Sequence, residues 1–401
     1  MHERFIARQP IFDDWLQVYA YELLFRGGPQ NYFQPSRNAS SSVIADSFTL
    51  FDLQTLTGRA RAFVNVDELA LKLGVPRLLP PNRIVVEILE TVKPTEEIVS
   101  ICRDLHSSGY VLALDDFTGD SKLSSLVELA QFLKVDFQLL DKDGRASVAK
   151  KYGNGKLSLL AEKVETEHDL AEARHLGYSY FQGYFFCKPS MIETCGIPDD
   201  KLLQLQLLSA VAAPELDYAK IEELLKRQPS LLYRLLRYLN SPLLVVRAEI
   251  QSVRQALSLL GEDEFRRWVS IFAILDMGKG KPPELIRTAL TRAYFCEEIS
   301  CAANLGEKKS SLFLMGLLSI TDALLDKPIA EVLKSLPVAG EVKTALIGGE
   351  NRLRDVYDLL LALERAEWSS LSTRVGRLGC NEETIPDSYE AALQKAAAIA
   401  F

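Results

Sequence analysis

Residues 110–117 read YVLALDDF, an apolar run that ends abruptly in two adjacent carboxylates, Asp115 and Asp116. A short apolar run bounded by polar residues reads as a buried strand, whose C-terminal end then carries both acids. Parallel α/β architectures place their chemistry at that end. The pattern recurs on either side, in YELLFR (21–26), AFVNV (62–66), IVVEILE (84–90), FLKVD (132–136), LLAEKVE (159–165) and YFQGYFF (180–186). Each run carries one or two polar residues that a buried strand does not need. One such residue is ordinarily a satisfied core group, whereas seven strands doing the same point to polar groups converging on one mouth.

Strand-like runs alternate with helix-compatible segments from the start to about residue 190. IARQPI (6–11) and VYAYELLF (18–25) come first, followed by a helix at about 42–57 and a short segment at 68–73. A helix at about 95–108 is opened by Pro94 and Thr95, and another runs from Thr166 to about His175, where Gly177 stops it. Eight strands with intervening helices predict a compact TIM-like (β/α) barrel. A typical barrel takes about 250 residues, so some outer helices must be trimmed or missing. After Lys188-Pro189 the composition changes. Residues 191–198 read as a linker, and 199–401 show helical spacing of Leu, Ile, Val and Ala between breakers such as Pro229, Gly261 and Gly348-Gly349. The expected class is α/β plus all-α, with a barrel domain over 1–190 and a helical domain over 199–401.

The chain has 401 residues, 48% of them hydrophobic, and a formal charge of −8, which argues against broad nonspecific attraction to nucleic acid. No apolar run approaches the roughly 20 residues of a membrane-spanning helix. The N-terminus MHERFIARQP lacks a signal-peptide profile, so a cytoplasmic protein without a membrane partner is expected. Six cysteines lie scattered without CxxC spacing and read as buried reduced thiols.

At the strand ends stand Glu22, Asn65, Glu87, Asp115, Asp116, Lys134, Glu162 and Gln182. Carboxylates with an amide oxygen form an all-oxygen donor set, which suits Mg²⁺ or Mn²⁺. Two such ions can hold a phosphodiester oxygen and generate hydroxide for in-line attack. Lys134 can neutralise phosphate charge or position a water, and Arg26 can grip a phosphate oxygen.

The ordered series Gln9-Pro10-Ile11, ELLFR (22–26), FVN (63–65), EILE (87–90), DDF (115–117), KVD (134–136), AEKVET (161–166) and Gln182-Gly183-Tyr184 resembles the EAL domain, over about residues 4–190. That family binds, and often hydrolyses, the bacterial second messenger cyclic di-GMP. The resemblance implies metal ligation by Glu22, Asn65, Glu87, Asp115 and Asp116. It implies catalytic places for Lys134, Glu162 and Gln182, nucleotide contacts for Gln9 and Arg26, and bracing of the loop after the aspartates by Glu90. The chain departs from the family pattern at three places. FTGDSK (117–122) replaces the usual glycine-rich loop, Leu23 stands for the signature alanine, and Lys163 stands where a glycine is usual.

Residues 199–401 resemble the HDOD domain, a helical output module related to HD phosphohydrolases, through PSLLYRLLRYLNSP (229–242) and IQSVRQALSLLG (250–261). All four histidines lie in the first half, and Gly316-Leu317-Leu318-Ser319-Ile320 stands where a catalytic HD protein carries its His-Asp pair. The helical half is therefore expected to contact an unidentified signalling protein rather than to catalyse. EAL relatives commonly dimerise, which makes a homodimer an expectation. The leading reading is a cyclic di-GMP-linked regulator with weak or no hydrolysis. An active Mg²⁺- or Mn²⁺-dependent phosphodiesterase producing linear pGpG and a nucleotide-independent scaffold remain open beside it.

Overall fold

A computed structural model describes residues 4–27, 53–153, 155, 157–188, 199–213, 215–239, 255, 259–334 and 336–399. The sequence-predicted linker 191–198, most of the helices expected at 42–57 and 251–260, and Cys195 lie outside the described residues. The chain divides into two compact units. The first joins Met1–Phe186 with Leu361–Arg377 and Asn381–Gln394, and the second joins Cys187–Leu360 with Leu378–Cys380 and Lys395–Phe401.

Eight strands close a barrel in chain order: β1 (Arg4–Asp13), β2 (Val18–Gly27), β3 (Arg61–Val66), β4 (Ile84–Ile88), β5 (Val111–Leu114), β6 (Phe132–Asp136), β7 (Ser158–Glu162) and β8 (Tyr180–Gln182). Every sequence-predicted strand is present. From β2 to β8 neighbouring strands run parallel, whereas β1 is antiparallel to both β2 and β8. The cause is the short connection 14–17, which can close a hairpin but cannot carry a parallel crossover. One outer helix of a regular barrel is thereby absent between β1 and β2, as the short length of the domain implied. Ile11, Ala20, Phe63, Val85, Ala113, Phe132 and Leu160 fill the interior as one buried cluster, so the barrel is a packed core with its polar groups confined to one end.

Local signals set the outer helices. Thr95 accepts from the Ile98 amide to start Glu96–Ser107, and Thr166 and Asp169 form a reciprocal capping box at the start of Glu167–Leu176. Gly177, at φ 91°, ends the latter helix in the left-handed region. The stretch after Asp141 is a helix, Lys142–Tyr152, capped by the Asp141 carboxylate. Its polar composition hides it from apolar periodicity.

The second unit is built from helices. Leu207, Ile221, Leu225, Leu231, Leu235, Phe265 and Trp268 belong to one buried cluster. Pro283–Ala302 and Lys309–Leu318 pack closely at Gly316, where an added Cβ would lie 2.4 Å from the Arg292 carbonyl oxygen. A helix over Trp368–Leu378, assigned in part to the first unit, sets Trp368, Leu371, Val375 and Leu378 at helical spacing and buries Leu371, Val375 and Leu378, although the sequence reading places no helix there. Cys102 and Cys296 are buried, but Cys301 is exposed, against the expectation of uniformly buried thiols.

Candidate functional site

Parallel strands point their C-terminal ends to one rim, and here that rim collects charge. Glu22 lies on β2, Asn65 on β3, Glu87 on β4, Lys134 on β6, and Glu162 and Gln182 end β7 and β8. The register sets Asn65 beside Glu87, and Asp136 beside Glu162. Asp115 and Asp116 follow β5 directly. Their backbone is anchored by barrel hydrogen bonds, from the Asp115 amide to the Ile88 carbonyl at 3.0 Å and from the Phe117 amide to the Lys134 carbonyl at 2.8 Å.

Lys134 is the centre of this group, with a side chain only 1% exposed. Its ammonium lies 2.7 Å from Glu162 Oε1, 3.2 Å from Asp115 Oδ1 and 3.4 Å from Glu22 Oε2, and it also donates to Glu87 Oε1. Four carboxylates thus share one cation. Burial alone would lower the lysine pKa, but Glu162, Glu22, Glu87 and Asp115 outweigh it and hold the ammonium well above its ordinary value. Burial pushes Glu162 up to about 8, against the pull of Lys134 and helped by repulsion from Asp115 and Glu22. Glu87 is likewise raised well above the carboxylate range by burial and by Glu22, and Asp116 is raised by burial and Asp115.

The amides orient the acids. Asn65 Nδ2 donates to Glu22 Oε1 at 2.9 Å, and Gln182 Nε2 donates to Glu22 Oε2 at 2.6 Å and to Gln9 Oε1 at 3.2 Å. Gln182 owes its place to Gly183, whose φ is 147° and whose added Cβ would fall 2.0 Å from the Val164 carbonyl oxygen. Asn65 Oδ1 and Glu87 Oε2 are buried without a hydrogen-bond partner. Buried acceptors are normally satisfied, so these oxygens fit a cation in a mouth already rich in carboxylates. Ligand atoms of Glu90, Asp115 and Asp116 also lie within 4.8 Å of one another. The Glu90 carboxylate thus lies beside the two aspartates at the rim.

The structure thus assembles Gln9, Glu22, Asn65, Glu87, Glu90, Asp115, Asp116, Lys134, Glu162 and Gln182 at one mouth. Arg26 pairs with Phe5 in the β1–β2 ladder, but its side chain lies outside what is described. Sequence reasoning missed the use of Asp136. Its carboxylate accepts from the Gln138 and Leu139 amides and pairs with the Lys163 ammonium. Lys163, at φ 53°, is thus drawn to the β6 end rather than laid across Glu162. In the helical unit Ser319 Oγ donates to the Gly316 carbonyl at 2.7 Å and accepts from Arg292 at 3.2 Å, while Ile320 is fully buried. Hydrogen bonding and packing thus occupy the positions where the resemblance would set an HD metal pair.

A closed eight-stranded barrel with carboxylates, a lysine and two amides at its strand ends defines a barrel of the EAL type. The EAL domain family model matches residues 65–189, and the HDOD domain model matches 197–331. The chain is 34% identical over 394 residues to the cyclic di-GMP phosphodiesterase CdgJ of Vibrio cholerae, spanning 96% of this chain and 90% of that protein. It is 32% identical over 400 residues to the uncharacterized protein YuxH of Bacillus subtilis, spanning 97% and 96%. Among solved structures, the Bacillus subtilis YkuI protein, with an EAL domain and in complex with c-di-GMP and calcium, is 19% identical. That alignment covers 65% of this chain and 71% of that one, with a TM-score of 0.38. The chain belongs to the family of bacterial cyclic di-GMP signalling proteins in which an EAL domain is followed by an HDOD domain. Among the described residues no helix is long and apolar enough to cross a membrane.

Proposed function

We propose that the barrel is a divalent-metal-dependent cyclic di-GMP phosphodiesterase that releases linear pGpG, with the HDOD domain as a non-catalytic interaction module. The observation that carries this reading is the undamaged mouth: the oxygen donors converge, Asn65 Oδ1 and Glu87 Oε2 stay unpartnered, and Lys163 is held on Asp136. The aspartates are tied to β4 and β6 by backbone bonds, which do not depend on the unusual residues 118–122. The name of the Vibrio relative points the same way.

Glu22, Asn65, Glu87, Asp115 and Asp116 would hold Mg²⁺ or Mn²⁺, with Glu90 beside the aspartates. When bound, the metal supplies Lewis acidity to the phosphodiester oxygens. Lys134 places Glu162 and shares its charge, and Glu162, held up to about 8 by burial, is poised to exchange a proton near neutral pH. Gln182 and Asn65 fix the two oxygens of Glu22. Gln9 and Arg26 would face the nucleotide.

The loop FTGDSK favours a second reading, a sensor that binds without turnover. Chromatography of cyclic di-GMP with Mg²⁺ or Mn²⁺, with Glu22→Ala as control and binding heat in the same buffers, separates the two. Linear product that vanishes in the variant supports the enzyme. Heat without product supports the sensor, and neither signal leaves a scaffold.

A further inference from the structure

The first unit includes a C-terminal segment, Leu361–Arg377, that belongs with the barrel although it is far from it in sequence. The helix Arg352–Glu364 ends there. The last four carbonyls of a helix lack intrahelical partners. Here those of Leu361, Ala362 and Leu363 accept from the amides of Arg365, Glu367 and Ala366, and Ala366 turns the chain at φ 54°. The fourth, on Glu364, accepts from the barrel: from Tyr184 Oη at 2.7 Å and from Gln9 Nε2 at 3.4 Å. The Arg365 guanidinium lies 5.8 Å from the centre of the Tyr184 ring.

Both donors sit at the mouth. Gln9 faces Glu22 across the β1–β2 ladder and accepts from Gln182, which in turn donates to Glu22. Tyr184 follows the close-packed Gly183. A line of side-chain bonds therefore runs from Glu22 through Gln182 and Gln9 to the end of the C-terminal helix. The bond from Gln9 is long and hence weak, and its amide is also the group assigned to the nucleotide. The bond from Tyr184 is of ordinary strength.

We propose that Leu361–Arg377 is a clasp that senses pocket occupancy: a cyclic dinucleotide that engages Gln9 withdraws its amide from Glu364 and loosens this segment. This rests on the binding part of the proposed function, though not on turnover. The clasp and the nucleotide then compete for one side chain, and each weakens the other to the same extent. The clasped helix begins at Arg352 in the second unit, so the loosened end is covalently continuous with it.

Hydrogen–deuterium exchange on the full chain, with and without cyclic di-GMP and Ca²⁺, tests the idea. Nucleotide is expected to slow exchange in peptides over 110–117 and 160–166 and to speed it over 361–368. Tyr184→Phe keeps the ring and removes the stronger donor. It should speed exchange over 361–368 without nucleotide, shrink the further increase on binding, and tighten nucleotide affinity about two- to tenfold, the span of one ordinary hydrogen bond. Protection of the barrel peptides with unchanged or slower exchange over 361–368 would overturn the clasp and leave nucleotide binding intact. An unaltered 361–368 in Tyr184→Phe without nucleotide would also overturn it. Absence of both barrel protection and binding heat would remove the functional reading and the clasp's ligand together.

Discussion

Replacing Lys134 with methionine keeps most of the side-chain volume and removes the positive charge that the four carboxylates share. At an effective dielectric of about 20, contacts of 2.7, 3.2 and 3.4 Å each amount to roughly 5–6 kcal/mol of gross attraction. Most of that offsets the cost of burying the ammonium, and breaking a buried ion pair from one side typically leaves a net loss of about 3–5 kcal/mol. The loss must depend on pH, because protons are the alternative neutraliser. Lys134→Met is expected to lose about 3–5 kcal/mol near pH 8 by urea unfolding, and clearly less near pH 5.5, where the acids take up protons. Mg²⁺ should restore part of the stability at the higher pH. A loss below about 1 kcal/mol near pH 8, or one that is equal at both pH values, would refute the view that this lysine neutralises the cluster.

Three further tests address other parts of the first unit. Glu162 binds its proton more tightly when folded, at about 8 against an ordinary 4.5. The native state therefore holds more protons than the unfolded chain between these values, and stability should fall as pH rises through that window. The ceiling is roughly 5 kcal/mol at about 1.4 kcal/mol per pH unit, and Glu162→Gln should flatten the slope of urea midpoints against pH. Gly183→Ala forces a Cβ against the Val164 backbone and is expected to cost about 3 kcal/mol or more, seen as a lower thermal midpoint together with lost nucleotide binding. Lys163→Gly removes a half-exposed ion pair but relieves a left-handed φ, so its stability should stay within about 1 kcal/mol and cyclic di-GMP turnover should not rise; a large gain in turnover would show that Lys163 obstructs the mouth.

The barrel was readable because burial on both faces turns each strand into an apolar run, so a polar residue such as Glu87 or Lys134 stands out against its neighbours. The helix starts at Thr95 and Thr166 were equally open, since capping is a local matter of a few side chains. Other features depend on three-dimensional partners. The antiparallel setting of β1 follows from the four-residue connection, but its pairing with β8 is long-range. Lys163 looks like a threat to Glu162 in sequence, and only the fold shows that Asp136 captures it. Lys142–Tyr152 escaped because Gly, Ser and charged residues dilute its apolar spacing, leaving tertiary packing to decide it, whereas Trp368–Leu378 carries Trp368, Leu371, Val375 and Leu378 at helical spacing and was legible in the sequence. The bonds from Gln9 and Tyr184 to Glu364 could not be foreseen, because a backbone carbonyl carries no sequence signature.

The antiparallel first strand also bears on the birth of the protein. Ile11 must wait for Gln182 before the wall between β1 and β8 can form, and the segment 361–377 joins that same unit later still. During synthesis the N-terminal hairpin can form at once, yet it keeps an open strand edge until most of the barrel has left the ribosome. Contacts spanning so much chain are slow to form, and an open edge is prone to pair with other chains meanwhile. The barrel seam is therefore the place where a slowed or truncated translation product of this chain would be most exposed to aggregation.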